Sequence, residues 1–272
     1  MTDWKEASQA KQEDEAFLEL VLQEQEKALE EERQQRLQGT QQQKKKRRTV
    51  RVTVWIIALV LLFNTFGLIF QIYSIPAIEF LKISSKLSLQ EDIQTYKKAV
   101  VEISTHDSKG TGFAISEDGY ILTNEHVIDD ATRLTVVFPD HGIYEAEIIE
   151  SFPSIDLAVL KVEGEELPYL KLADSYSSTA QEQVTFIGNP LYFTGIANEG
   201  TILESIQLED WNEPVMMMKA PVYKGNSGSP VIASDGSVLG IVFATLKNEE
   251  HGKVGLFVPV EYFHQYASED RP

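Results

Sequence analysis

One stretch limits this chain more than any other. From Val52 to Ile78 no residue carries a charge, and Ile, Leu, Val and Phe crowd the run as far as Tyr73. About 20 apolar residues suffice to cross a bilayer, and Asn64, Gly67 and Gln71 do not interrupt the span. Directly before it, residues 44–51 read KKKRRTVR, six bases and no acid. Positive charge stays on the cytoplasmic side. The expectation is an uncleaved signal anchor over residues 52–75, with residues 1–51 inside and everything beyond it outside. A cleaved signal peptide fits less well, because 51 residues precede the apolar run and no small-x-small cleavage site follows it.

Charge divides the chain the same way. The net charge is −18, yet residues 1–51 hold 11 acids against 11 bases and the span holds none. The whole excess therefore belongs to the part expected outside, where it keeps a domain soluble and argues against nucleic acid as a partner. Residues 1–40 are rich in Gln and Glu, with Leu18, Leu22, Leu29 and Leu37 at spacings near four, seven or eight. That pattern predicts a cytoplasmic helix, either solvated or seated in a short coiled coil. Gln25 and Glu32 interrupt the seam. Residues 76–96 read as a partly helical stalk. Cysteine is absent, which excludes disulfides, thiolate metal sites and a thiol nucleophile.

From about Tyr96 short β-branched and apolar runs take over: 99–103, 112–115, 120–123, 134–138, 146–149, 157–162, 184–187, 215–218, 231–233, 238–243 and 255–260. Turn signals such as Asp118-Gly119, Asp235-Gly236 and His251-Gly252 separate several of them. Many short strands with few helical patterns predict an all-β sandwich or barrels. The stretch Pro259–Ala267 reads as a closing helix.

Three stretches carry chemistry. His126, of the five histidines, alone follows an apolar strand closely. Asp156 leads the apolar run Leu157–Val162, and Ser227 sits between Gly225-Asn226 and Gly228. Alone, each has an ordinary structural reading as a bonded histidine, a turn aspartate and a tight turn. Together they are the parts of one device. A serine hydroxyl is a poor nucleophile until a base takes its proton, imidazole does that near neutral pH, and a carboxylate fixes the imidazole's tautomer. Glycines beside the serine let two backbone N–H groups converge on an oxyanion. The chain order His, Asp, Ser is that of chymotrypsin-type double barrels.

At these residues the sequence resembles trypsin-like serine proteases of the HtrA/Deg type. The likeness runs over about residues 97–267 through Gly110-Thr-Gly-Phe113, Gly119-Tyr-Ile-Leu-Thr-Asn124, His126-Val-Ile128, Asp156-Leu-Ala-Val-Leu-Lys161, Ile187-Gly-Asn-Pro190, Gly225-Asn-Ser-Gly228 and Phe257-Val-Pro259. The resemblance implies two six-stranded antiparallel barrels with the site between them. It implies His126 as general base, Asp156 as its orienter, Ser227 as nucleophile, and the N–H groups of Gly225 and Ser227 as the oxyanion hole. The side-chain pocket it implies is built from Pro221, Val222, Phe243, Ala244, Thr245 and Gly255. That pocket is small and apolar and favours Val, Ala, Ile or Leu before the cut. No cofactor and no metal is expected. The implied partners are protein or peptide substrates, and a homo-oligomer, a trimer, is a state open to the chain.

Three departures stand out. Ser229 replaces the family's usual Gly, and Lys219-Ala220 stands where relatives often carry Asp-Ala. Only 45 residues follow Ser227, so the expectation is a protease domain over 97–267, a tail over 268–272 and no PDZ module. The resulting picture is a membrane-anchored endopeptidase of the cell envelope. Its alternative is a catalytically silent ectodomain that binds or senses stress.

Overall fold

Strict alternation makes the strand Leu134–Phe138 one-sided: Leu134, Val136 and Phe138 are buried while Thr135 and Val137 are only half-covered. Such a strand needs a closed partner surface on one side, and the chain supplies it by curling its strands into barrels. The computed structural model describes residues 23–36, 50–65, 80–106, 108–129, 131–176, 181–190, 193–209 and 211–267. Two compact units divide the chain, Met1–Ser74 and Ile75–Pro272.

In the second unit a helical stretch over 80–87 and helix α1 (Glu91–Ala99) precede twelve strands. Strands β1 (Val100–Ser104), β2 (Lys109–Ala114), β3 (Tyr120–Thr123), β4 (Leu134–Phe138), β5 (Gly142–Phe152) and β6 (Leu157–Val162) close one antiparallel barrel in the order β1-β2-β3-β6-β5-β4. The short helix α2 (Glu125–Ile128) follows β3. Strands β7 (Gln183–Gly188), β8 (Ile196–Ile206), β9 (Val215–Lys219), β10 (Pro230–Ile232), β11 (Val238–Asn248) and β12 (Gly252–Pro259) close the other, and helix α3 (Val260–Tyr266) ends the domain. Of the two architectures that the run pattern allowed, the molecule is two barrels.

Each barrel fills its own interior. Ile103, Ile121, Val136, Phe138 and Leu160 pack the first, and Phe186, Ile202, Met218, Val242 and Phe257 pack the second. A third cluster spans both: Phe113, Leu122, Leu157 and Val159 meet Ile187, Ile232, Ile241 and Val258. That shared apolar seam explains why β6 is buried on both faces.

The segment read as a stalk is packed against this unit. Phe80, Ser84 and Leu87 are buried on the 80–87 stretch, as are Ile93 and Ala99 on α1. Leu87, Ile93 and Ala99 join the seam cluster.

The first unit is described over 23–36 and 50–65, both helical. No helix among the described residues is long and apolar enough to cross a membrane. The expected span over 52–75 is described only as far as residue 65, so its second half lies outside the described residues. Leu29 of the expected seam is exposed, while Leu18, Leu22 and Leu37 lie outside the described residues, as does the tail 268–272.

Candidate active site

Strand register alone brings two of the three chemical residues together. β3 and β6 run antiparallel with Thr123 opposite Ala158. Counting outward from that pair places the residues just after β3 beside those just before β6. His126 on α2 therefore meets Asp156, which closes the turn Pro153–Ile155 ahead of β6. Asp156 sits in the left-handed region at φ 49°, ψ 47°, a conformation that Asp tolerates better than most residues. Asn124 holds the bend by donating from Nδ2 to the Asp156 carbonyl at 2.8 Å.

The pair is tight. His126 Nδ1 lies 2.7 Å from Asp156 Oδ2 and 3.0 Å from Oδ1, and the His126 backbone N–H donates to the same Oδ1 at 3.0 Å. The carboxylate is largely covered, with 14% of its side chain exposed against 47% for the imidazole. With the carboxylate ionised, Nδ1 carries the proton and Nε2 is left as the free base. The His126 pKa is raised above its ordinary value, first by the hydrogen bond to Asp156, then by the charges of Asp156 and Glu125; burial opposes them. Glu125 is itself raised, first by burial and then by the charges of Asp129 and Asp156.

Ser227 arrives from the other barrel, in the turn before β10. Gly228, at φ 86°, gives its N–H to the Val242 carbonyl at 2.8 Å, and Val242 returns one to Ser229 at 2.9 Å. A Cβ on Gly228 would lie 1.8 Å from the Thr111 carbonyl oxygen, so only glycine fits there. The Ser227 hydroxyl donates to the Phe243 carbonyl at 3.3 Å, and no hydrogen bond joins it to His126. Free proteases often hold this contact loosely until substrate arrives. Among the described residues, neither the Gly225 nor the Ser227 backbone N–H has a hydrogen-bond acceptor.

A residue not singled out in the sequence ties the barrels at this point. Thr111 on β2 donates its hydroxyl to the Gly225 carbonyl at 2.7 Å and accepts the Asn189 N–H at 2.9 Å. Its backbone N–H donates to the Ser227 carbonyl at 2.9 Å, and its own carbonyl accepts the Thr123 hydroxyl at 2.7 Å. The Gly110–Phe113 motif contains it, but only the folded contacts show what it holds.

A cavity of about 240 Å³ opens at Ser227, lined by Val222, Tyr223, Lys224, Val242, Phe243, Ala244 and Thr245. Of the six residues expected to form the pocket, Val222, Phe243, Ala244 and Thr245 are brought together here. Pro221 and Gly255 are not among the lining residues. Gly255 lies behind the wall, where a Cβ would meet Val222 at 2.6 Å. Ser229 is fully buried against Gly188, and its hydroxyl has no hydrogen-bond partner among the described residues. Among the described residues, Glu204, Glu250 and His251 group their ligand atoms within 4.8 Å. None of them belongs to this site.

Comparisons with known proteins point to the same double-barrel fold. Residues 110–241 match the trypsin-like peptidase domain. A probable periplasmic DegP-like serine endoprotease of Pseudomonas fluorescens is 41% identical over 137 residues, 49% of this chain and 29% of that protein. Its counterpart in Chlamydia trachomatis is 35% identical over 140 residues, 49% of this chain and 27% of that protein. The chain thus spans under a third of the length of these curated relatives. Among solved structures, the serine endoprotease from Yersinia pestis superposes with a TM-score of 0.57 at 27% identity, over 64% of this chain and 63% of that one. The HtrA-type protease AlgW, solved with a tripeptide, gives 0.59 at 27%, over 64% and 60%.

Proposed function

We propose that this chain is a membrane-anchored serine endopeptidase whose catalytic domain faces out of the cytoplasm and cuts envelope or misfolded proteins. The observation that carries the reading is the 2.7 Å His126–Asp156 pair, together with a Ser227 turn whose Gly225 and Ser227 N–H groups find no acceptor among the described residues. Sequence and structural likeness to serine endoproteases supports the same reaction.

On this reading Ser227 Oγ turns from the Phe243 carbonyl toward His126 Nε2 as substrate enters. His126 takes the hydroxyl proton while Oγ attacks the peptide carbonyl carbon. The carbonyl oxygen gains the electron pair and is held by the Gly225 and Ser227 N–H groups. Asp156 stabilises the imidazolium without taking the proton. His126 then gives that proton to the departing amine, and water repeats the sequence on the acyl-enzyme. No step needs a metal or cofactor.

On this reading the cavity receives the side chain that precedes the cut. Val222, Phe243 and Ala244 are apolar, and about 240 Å³ holds a small aliphatic group. None of the lining residues is a carboxylate, so an Arg or Lys side chain finds no partner there.

Membrane anchoring rests on residues 50–65. That helical stretch exposes Trp55 at 75% and Phe63 at 76% along with Val, Ile and Leu on every face. A helix apolar all round belongs in a core or in lipid.

The test is hydrolysis of denatured casein by the full chain and by Ser227→Ala, with cut sites mapped by mass spectrometry. Ser227→Ala should lose nearly all activity while folding normally, and wild-type cuts should follow Val, Ala, Ile or Leu. Activity of the variant within tenfold of wild type overturns the nucleophile, and absence of cleavage by wild type favours a silent, binding ectodomain. A majority of cuts after Arg or Lys overturns the pocket alone.

A further inference from the structure

Tyr223 occupies a pivotal place in the loop ahead of Ser227. Tyr223 is one of the residues that line the cavity at Ser227. Its backbone carbonyl accepts the Asn226 N–H at 3.1 Å, closing the turn that contains Lys224 and Gly225. The orientation of Tyr223 therefore bears both on the pocket wall and on where the Gly225 N–H points.

Two groups grip its ring. Lys253 Nζ lies 5.5 Å from the ring centroid and donates to the neighbouring Val222 carbonyl at 3.3 Å. From elsewhere in the chain, Phe80 meets the ring edge-on, with centroids 4.8 Å apart and planes at 74°. Phe80 is only 5% exposed. Its helical stretch is fixed to the second barrel, since Ser84 Oγ accepts the Ala197 N–H at 3.1 Å and Leu87 is buried in the seam. Edge-to-face pairs of this spacing are favourable and orientation-dependent.

We infer that Phe80 is a positioning residue for peptide hydrolysis: by packing on Tyr223 it sets one wall of the substrate cavity and the turn that presents the oxyanion N–H groups. This inference rests on the peptidase reading above. Phe80 stands two residues beyond Ile78, the end of the uncharged run.

Phe80→Ala leaves Tyr223 room to tilt. Donors that act on the transition state affect kcat more than substrate binding. Losing one outright costs about 10²–10³ in kcat, and displacing one costs a part of that. The experiment compares full-length wild type, Phe80→Ala, Phe80→Leu and Leu89→Ala. Leu89 is 79% exposed in the same segment and serves as the control. Steady-state casein hydrolysis is measured together with deuterium uptake by the peptide over 219–228. The expected result for Phe80→Ala is kcat about tenfold lower, with KM nearly unchanged and faster uptake confined to 219–228. Phe80→Leu, which keeps most of the apolar volume, recovers most of the rate, and Leu89→Ala matches wild type.

A kcat for Phe80→Ala within about twofold of wild type overturns the inference, as does uptake that rises equally in strands β1–β6, the mark of a merely structural residue. If wild type and Ser227→Ala both fail to cleave, the peptidase reading falls by itself. Uptake at 219–228 then judges the Phe80–Tyr223 linkage, and an unchanged value overturns it.

Discussion

At the scale of single residues, and on the peptidase reading proposed above, the titration of His126 decides when the site can act. The base must be neutral, and its pKa is raised chiefly by the hydrogen bond to Asp156. The rate should therefore fall as pH drops through a value above the ordinary histidine pKa of about 6.5. Asp156→Asn removes the main cause, so the acid limb of kcat/KM should shift down toward that value. The wrong tautomer should also lower kcat by about 10⁴-fold. A pH–rate profile of both proteins checks it; an acid limb that stays in place excludes His126 as the titrating base. The sign for stability is opposite. A raised folded pKa contributes stability below the unfolded value, and this is lost as pH climbs through the folded one. The site thus gives up that contribution as it becomes competent. His126, Asp156 and Ser227 were legible in sequence because the chemistry demands those residue types and each sits at the mouth of a strand or turn. Tyr223 and Thr111 were not, because their roles depend on contacts with residues remote along the chain.

At the scale of elements, the short β-branched and apolar runs located most strands well, and β3, β4 and β6 fall where the runs of Tyr120–Thr123, Leu134–Phe138 and Leu157–Val162 put them. β8 escaped that reading. Its centre reads Asn198-Glu199-Gly200, and Asn198 is fully buried, so the polar interruption hides a strand that the barrel requires. The 80–87 stretch hid its packed face in the same way, since the buried Ser84 breaks the stripe formed by Phe80 and Leu87. One link between elements is open to test. Thr111 joins β2 to the Ser227 turn through a hydroxyl with both a donor and an acceptor partner. Thr111→Val keeps the shape and strands the Gly225 carbonyl and the Asn189 N–H, each at about 1–3 kcal/mol if buried. Thermal unfolding should show a lower Tm, and casein hydrolysis should fall by more than the unfolded fraction explains. A variant equal to wild type in both removes Thr111 from the account of the site.

At the scale of the whole molecule, the asymmetry of charge is the ground for the proposed membrane orientation. The bases of residues 44–51 precede the apolar run and the acidic excess follows it. Protease added to spheroplasts should digest the chain beyond residue 78 and spare a tag at the N-terminus. Digestion of that tag reverses the orientation, and a soluble form beginning near residue 75 restores the cleaved-signal reading.

The division of the site between two barrels has a further consequence. His126 and Asp156 belong to one, Ser227 to the other, and an apolar seam with Thr111 across it keeps them in register. The working ceiling of such a machine is set by a joint and not by its parts. On warming, the joint can loosen while both barrels keep their strands, so peptide cleavage should cease at a lower temperature than the one at which far-ultraviolet circular dichroism loses its β signal. Coincident curves would show that the joint is as strong as the barrels it holds. On the peptidase reading a bound polypeptide would splint that joint, so heat tolerance should be greatest with substrate present.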